Sequence, residues 1–314
     1  MENSMSASAG KVVIAALLGN FMIAVTKFTA AALTGSSAML SEGVHSLVDT
    51  GNQALLLLGM KRAQRPPSAG FPFGHGKEIY FWSFMVAILL FGLGAGVSIW
   101  EGVQHLQNPV EMTRPAIAYA VLLTSLVFEG ISFSVALKEF NKVRNGLGYL
   151  EAARRGKDPV FFVELFEDSA AMIGLLAALA GVTLTHLTGS PFWDGAASIV
   201  IGLVLATTAI WLARETMGLL IGEGADEIVV EAIRQSVVTH PEIENVNEIV
   251  TLHMGPNFIV VNMSLDFSDD LESGELESIV TWLTREVKAV DPAIKRVFIE
   301  AESRDNHRPA PAAA

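Results

Sequence analysis

The 314-residue chain is 51% hydrophobic and only 17% charged, and its mean hydropathy is +0.44. Soluble domains carry about 25% charged residues, so this composition indicates a membrane protein with a polar portion attached. The chain has no cysteine, which excludes disulfides and thiolate metal sites. Its net charge of −12 argues against nucleic acid as a partner. The first residues are small and polar, and we expect no removable signal peptide.

Six segments are long and apolar enough to span a hydrocarbon core of about 30 Å, so we predict an all-α bundle of six transmembrane helices. They are Val12–Leu33, Ser37–Met60, Ile79–Trp100, Ala116–Leu137, Val160–Leu184 and Trp193–Ala213. The second and fifth segments carry ionisable residues and look amphipathic. We therefore expect these two segments to face the interior of the bundle.

Positive charges are divided unevenly between the loops. Ten Lys and Arg residues lie in the loops after the second and fourth segments, against one, Arg114, on the opposite side. The positive-inside rule therefore places both termini in the cytoplasm. We expect a multi-pass protein embedded in a lipid bilayer, in a bacterial inner membrane.

The remainder of the chain is predicted to be a small, acidic cytoplasmic domain, with eighteen acids against seven Lys or Arg from Glu223 onward. The predicted helices and strands, in chain order, are Asp226–Thr239 (α), Asn247–His253 (β), Phe258–Phe267 (β), Leu271–Val290 (α) and Arg296–Ala301 (β). The order α-β-β-α-β predicts a ferredoxin-like α+β sandwich. The predicted domains are thus 1–222 for transport, 223–303 in the cytoplasm, and a disordered tail, 304–314.

Ionisable residues interrupt two of the apolar segments. At bilayer depth each such residue costs roughly 2.5 kcal/mol or more, so it marks a functional site by default. In the fifth segment Glu164 and Asp168 share one helix face, whereas Glu167 is rotated off that line and is a weaker candidate. In the second segment the steps of three, four and three place four residues on one face: Glu42, His45, Asp49 and Asn52.

One imidazole and three carboxylates from these two faces would suit a four-coordinate Zn²⁺, and they also suit Mn²⁺, Fe²⁺ or Co²⁺. The candidate ligands are His45, Asp49, Glu164 and Asp168. Two other interpretations stay open. The residues could satisfy one another in polar contacts between helices, or His45 and Glu164 could relay protons without a metal.

Two motifs resemble a known family. The stretch Ser36–Gln53, SSAMLSEGVHSLVDTGNQ, resembles the second transmembrane helix of the cation diffusion facilitator family, and Phe73–Lys77, FGHGK, resembles the segment that leads into that family's third helix. The resemblance covers essentially the whole chain. It implies a homodimeric exporter of a divalent metal, driven by inward proton flow, with no prosthetic group. The matching positions of the transport site are His45, Asp49, Glu164 and Asp168.

The resemblance also bears on the transported ion. Zinc members of the family often have His or Asp at the position of Glu164. Zn²⁺ is the leading expectation, and Mn²⁺, Fe²⁺ and Co²⁺ remain alternatives. In this family a lysine at the position of Lys77 tends to pair with an acid after the sixth helix, here Glu223. We expect either this hinge ion pair or an ordinary snorkelling lysine.

Further polar residues in the spans have roles that the sequence leaves open. Glu129 would be either a proton-coupling carboxylate or a buried partner for Lys27. Asn20 is expected to hydrogen-bond across helices, and Asn52 extends the polar face of the second segment. Like Glu129, both are candidates for proton coupling or for supporting the metal ligands.

An enzyme is the competing class, but the chain has no His-Glu-x-x-His and no Gly-x-Ser-x-Gly sequence, so we predict no enzymatic activity. A metal channel is the other alternative to an exporter.

Overall fold

The computed structural model describes residue 17, residues 20–144 and residues 146–307. The described residues fall into two compact units. The first consists of residues up to Lys61 together with Ile79–Met217, and the second consists of Arg62–Glu78 together with the residues from Gly218 onward.

The first unit is helical. Its helices, in chain order, are α1 (20–34), α2 (Ser37–Ala63), α3 (Glu78–Leu89), a π-helical turn (Leu90–Ala95), α4 (Gly96–Gln107), α5 (Pro115–Val143), α6 (Tyr149–Arg155), α7 (Pro159–Thr188) and α8 (Phe192–Ile221). Proline at the first turn opens α5 and α7, where its missing N–H costs nothing. Asp158 caps α7 by accepting a hydrogen bond of 3.1 Å from the backbone N–H of Val160.

Within the described ranges, four helices are long and apolar enough to cross a membrane. They are Glu78–Gln107, Pro115–Val143, Pro159–Thr188 and Phe192–Ile221. The third to sixth predicted spans are confirmed in this sense. α2 is 27 residues long, but its polar face lowers its hydropathy, and the first predicted span begins outside the described residues. These first two spans stay predictions.

α4 and α8 approach each other closely through glycines. A Cβ at Gly102 would stand 2.8 Å from the carbonyl oxygen of Gly195, and a Cβ at Gly202 would stand 3.0 Å from that of Ala95. Small residues at such a crossing let two backbones pack at short range, which is a common way for helices to associate in lipid.

The second unit contains a three-stranded sheet covered by two helices. Its elements, in chain order, are α9 (Glu227–Val238), β1 (Ile243–Gly255), β2 (Phe258–Phe267), α10 (Ser273–Val290) and β3 (Ile294–Ala301). β1 pairs antiparallel with β2, and β2 pairs parallel with β3. The apolar stripes of α9 and α10, including Ile233 and Leu283, pack with Val261 and Met263 of β2 into one core. The predicted order of helices and strands is confirmed.

The segment that connects α2 to α3 belongs to this second unit. Its Phe73 ring lies edge-to-face on Phe258, with ring centroids 6.3 Å apart. Gly76 packs directly on the backbone of Met254 and Gly255 in the β1–β2 turn, where a Cβ on either glycine would clash or be crowded. Gly255 has φ +158°, at the edge of the left-handed region.

The predicted tail is described only in part. Residues 304–307 follow β3, and His307 Nδ1 lies 2.8 Å from Glu302 Oε2. The rest of the predicted disordered tail, residues 308–314, lies outside the described part of the chain.

Candidate cation-binding site

The polar residues of α2 lie inside the first unit. Glu42, His45 and Asn52 are buried, and Asp49 is half-buried. The structure thus turns the polar face of α2 away from lipid, as an intramembrane site requires.

A cavity of about 230 Å³ lies between α2 and α7, and four carboxylates line it. They are Asp49, Glu164, Glu167 and Asp168. Most of the remaining wall is apolar, with Leu56 and Val160 among its residues, and none of the described residues that line it is Lys or Arg. Carboxylates gathered without a basic partner in a largely apolar wall form an environment that favours a cation.

Several buried polar atoms near this face have no hydrogen-bond partner within the described part of the chain. Both ring nitrogens of His45 and Oδ2 of Asp168 are of this kind. A buried group without a partner costs about 1–3 kcal/mol, and such groups are rare in folded proteins. Their presence here is consistent with a ligand that completes them.

The structure differs from the sequence prediction at Glu164 and Glu167 of α7 and at His45 of α2. Glu164 is exposed, whereas Glu167, the weaker candidate from periodicity, is 3% exposed and accepts a short hydrogen bond from Nδ2 of Asn52. His45 is not among the residues that line the cavity. Among the described residues, no three His, Asp or Glu side chains stand close enough together to hold a metal ion. The predicted four-ligand set therefore stays a prediction.

Lys27 of α1 forms a buried ion pair with α2 one helical turn before His45. Its Nζ lies 2.9 Å from Glu42 Oε2 and donates to Ser46 Oγ at 2.8 Å, and both charged side chains are almost fully buried. Glu129 is a possible partner of Lys27 from the sequence alone, whereas the structure pairs Lys27 with Glu42. Glu42 Oε1 points towards Gly174 of α7, where a Cβ would stand 2.7 Å away.

A second, larger cavity of about 740 Å³ lies between α1 and α5. Glu129 of α5 and Asn20 of α1 line it, and Asp49 lines this cavity as well as the first one. Asn20 also donates a hydrogen bond of 2.9 Å to Gln53 Oε1 on α2, so the cross-helix bond expected of Asn20 is present.

Sequence reasoning missed a buried polar network where α2 and α8 begin. Asp194 of α8 is 1% exposed and accepts hydrogen bonds from the backbone N–H and the hydroxyl of Ser37 and from the hydroxyl of Ser36. His105 Nε2 lies 3.7 Å from Asp194 Oδ2. The signal in the sequence was the Ser-Ser pair before an apolar run, which is typical of a helix start. Asp194 is 157 residues away from Ser37, so the Ser-Ser pair alone could not predict this contact.

In the second unit, Lys77 and Glu223 lie at neighbouring positions. Lys77 Nζ stands 3.6 Å from the place of a Cβ on Gly222, and the carbonyl oxygen of Glu223 accepts a hydrogen bond of 3.1 Å from the backbone N–H of His253. The predicted Lys77–Glu223 ion pair stays a prediction.

A bundle of membrane-length helices that encloses carboxylates defines an integral membrane protein suited to handling cations. Comparison with known proteins agrees with this class. The family profile described as cation efflux transmembrane domain matches residues 13–221. The chain therefore belongs to the cation efflux, or cation diffusion facilitator, family, which is a family of transporters rather than enzymes.

Individual relatives are similar over most of this chain. The mitochondrial proton-coupled zinc antiporter SLC30A9 of Xenopus laevis is 34% identical over 260 residues, which are 82% of this chain and 46% of the relative. The same protein of Homo sapiens is 31% identical, with the same coverage. The manganese efflux system protein MneP of Bacillus subtilis is 20% identical over 92% of this chain and 94% of its own length. This chain spans about half the length of the SLC30A9 relatives that it matches.

Proposed function

We propose that this protein exports a divalent metal cation across a membrane in exchange for protons, by alternating access. The observation that carries the proposal is the cavity between α2 and α7, where carboxylates converge and the part of the lining that the structure describes contains no basic residue. Membership of the cation efflux family and the antiporter and efflux names of the relatives support it.

The proposed ligands are one imidazole and three carboxylates: His45, Asp49, Glu164 and Asp168. Asp49, Glu164 and Asp168 already line one cavity, and His45 lies one turn from Asp49 on the same helix. We propose Zn²⁺ as the cargo, with Mn²⁺, Fe²⁺ and Co²⁺ as alternatives. A site rich in carboxylates discriminates less strongly for zinc than one rich in imidazole or thiolate.

The coupling to protons follows from the ligand chemistry. Metal ligands bind in their deprotonated forms, so cation binding and proton release are linked. With three carboxylates and a neutral imidazole, the site carries about −1 when a divalent ion is bound and about −3 when it is empty and deprotonated. Protons that neutralise the empty site let it cross a low-dielectric barrier far more easily than the bare charges would.

The finer architecture is part of the same proposal. We propose six spans, a transport domain of 1–222 and a ferredoxin-like cytoplasmic domain of 223–303 that joins two chains in a homodimer. Both termini would lie in the cytoplasm, at a bacterial inner membrane. Lys77 and Glu223 would form an ion pair at the hinge between the spans and the cytoplasmic domain.

The decisive experiment is metal-driven proton flux in proteoliposomes that contain the full chain, measured with Zn²⁺, Mn²⁺, Fe²⁺ and Co²⁺ in turn. We expect Asp49→Asn to abolish the flux, because it removes a charged ligand while keeping the shape of the side chain. The matched control is Glu101→Gln, which neutralises an acid of α4 that lines neither cavity, and we expect its flux to equal that of the wild type. Undiminished flux in Asp49→Asn would refute the site.

The role of Glu164 is tested by selectivity. Glu164→His supplies the softer ligand that zinc favours, so we expect the ratio of Zn²⁺ to Mn²⁺ transport to rise. Glu167→Gln is the comparison, since Glu167 lines the same cavity but is bonded to Asn52. A ratio that moves with Glu167→Gln and not with Glu164→His would assign the ligand role to Glu167 instead.

A further inference from the structure

Two carboxylates from different helices line the larger cavity, here called the α1–α5 cavity, at almost the same depth in the bundle. Asp49 is twelve residues into α2 and Glu129 is fourteen residues into α5, which places them about 18 Å and about 21 Å from the starts of these helices. Both helices start at the same end of the bundle, because the backbone N–H of Thr113, just before α5, donates to the carbonyl oxygen of Thr34, just before α2. The two carboxyl groups also interact electrostatically, so they lie close together at this depth.

The carboxylate of Glu129 lacks a basic partner. Glu129 is half-buried in the middle of α5, and within the described ranges its carboxylate forms no hydrogen bond or ion pair. Lys27 interacts electrostatically with both acids of the cavity. Its ammonium group, however, is already bound by Glu42 and Ser46. An acidic group in such surroundings is costly unless a cation pairs with it, so the arrangement favours a bound cation.

The rest of the α1–α5 cavity is a wide and largely apolar space. Its volume of about 740 Å³ falls within the range of roughly 300–1,000 Å³ that is typical of small-molecule sites. On α5 the lining continues from Glu129 past Val121 to Ala120, which lies about 14 Å nearer the start of the helix. Ile23 of α1 lines the same space, and none of the described lining residues is Lys or Arg. The cavity thus combines two acids at one depth with an apolar space beside them.

This combination suits an organic cation better than a metal ion. Protein metal sites supply about four or more ligands, whereas the described lining of this cavity supplies two carboxylates. An amphipathic ammonium ion can donate charge-assisted hydrogen bonds to the two acids and bury its hydrocarbon part against the apolar wall. Small-molecule sites are generally built in this way, with a few polar groups that orient the ligand in an otherwise apolar cavity.

We propose that the α1–α5 cavity binds an amphipathic organic ammonium ion, with its charged group between Asp49 and Glu129 and its apolar part along Val121 and Ile23. This ligand is distinct from the divalent cargo proposed above, and its binding does not depend on transport. Asp49 also lines the cavity between α2 and α7, so an ammonium ion bound beside it competes with a metal ion for that carboxylate.

Recognition of the charge is tested with two probes of nearly the same shape. 4-Phenylbutylamine is protonated at neutral pH, and 4-phenylbutanol is its uncharged counterpart. Their dissociation constants are measured on the purified full chain in detergent, by equilibrium titration corrected for partition into empty micelles. We expect the amine to bind the wild type at least about tenfold more tightly, because hydrogen bonds from a charged donor are stronger than those from a neutral one. Equal affinities would overturn the inference, and so would an absence of saturable amine binding.

The location of the site is tested by substitutions in its wall. Glu129→Gln should weaken amine binding at least about tenfold and alcohol binding less than about twofold, because only the charge is lost. Val121→Trp should weaken the binding of both probes, because the indole fills the apolar space, and Val121→Phe should do so to a smaller extent if the bulkier variant does not fold. Glu101→Gln, outside both cavities, should bind both probes as the wild type does. Amine binding that survives both Glu129→Gln and the Val121 substitution would overturn the site.

Competition with metal distinguishes this inference from the proposed function. Zn²⁺ should lower the apparent affinity of the wild type for the amine as its concentration rises, because both ions bind Asp49. Amine binding that depends on Glu129 but not on Zn²⁺ would support the ammonium site and contradict Asp49 as a metal ligand. Metal-driven proton flux in a protein that binds no amine would overturn the inference and leave the exporter intact.

Discussion

The Lys27–Glu42 ion pair predicts a non-additive pair of substitutions. Both side chains are almost fully buried, at 1% and 0% exposure, and their charged atoms are 2.9 Å apart. Lys27→Met leaves Glu42 as an uncompensated buried charge, and Glu42→Leu leaves Lys27 in the same condition. Each single substitution is expected to cost about 3–5 kcal/mol, whereas the double variant Lys27→Met/Glu42→Leu should be close to neutral, because apolar groups of similar volume replace the pair.

The expected size of the effect is large enough to measure by heating. For a domain of this size, about 1 kcal/mol shifts the midpoint of unfolding by roughly 2–4 °C, so each single variant should unfold about 6–20 °C below the wild type. The assay is the fraction of monodisperse protein that survives heating in detergent. Intrinsic fluorescence provides a second probe.

An exposed ion pair supplies the control. Lys142 and Glu139 stand 59% and 46% exposed on α5, and Lys142→Met should change the unfolding midpoint very little, since surface pairs contribute about 0–1 kcal/mol. A double variant as unstable as the sum of its two single variants would refute the reasoning, because the loss would then come from packing rather than from an unpaired charge.

Three further predictions use the same stability assay. Gly174→Ala should destabilise the bundle by about 1–3 kcal/mol, although alanine is the better helix former, because its methyl would meet Glu42 Oε1. Asp194→Ala should cost about 1–3 kcal/mol, because it leaves N–H groups at the start of α2 without their acceptor, and Asp194→Asn should cost less. Burial raises the pKa of Asp158 above its ordinary 3.8, so its ionised form is disfavoured in the fold and stability falls as the pH rises from 3.8 towards the raised value. Asp158→Asn keeps the helix cap, so it should equal the wild type near pH 3.8 and exceed it in stability at pH 7.

Each of these predictions has its own contrary result. Gly218→Ala, at a helical glycine with open space around it, is the control for Gly174→Ala, and equal effects of the two would remove the role of Glu42. If Asp194→Asn were as damaging as Asp194→Ala, the charge rather than the acceptor would matter. A stability difference for Asp158→Asn that does not change with pH would contradict the assigned cause.

Much of the fold follows from sequence patterns, but the choice between two glutamates on α7 does not. Residues three apart on a helix are separated by only about 60° around its axis, so periodicity alone barely distinguishes Glu164 from Glu167. The packing of α7 against its neighbours fixes the rotation of α7, and this leaves Glu164 exposed and Glu167 buried. The pattern identified the polar face of α2 because four residues marked it, whereas α7 offered three acids spread over two adjacent faces.

Contacts between residues that are distant along the chain are equally hard to predict from the sequence. From the sequence, Glu129 is one candidate partner for Lys27, and only the packing of α1 against α2 selects Glu42. Asp194 reads as an ordinary acidic residue in the first turn of α8, although its carboxylate holds the start of α2. Such pairings depend on how helices cross, and that information is absent from the periodicity of any one helix.

The contact between Gly76 and Gly255 constrains how this chain can be recombined or shortened. Gly76 lies in the short connection from α2 to α3, and Gly255 lies in the turn of the terminal sheet, yet their backbones touch with no room for a side chain on either. The connection that contains Gly76 and the turn that contains Gly255 therefore depend on each other for their close packing. Removing the terminal domain would strip the connection of the surface on which it folds. A chimera that exchanges this domain with that of a relative must bring a compatible connection with it.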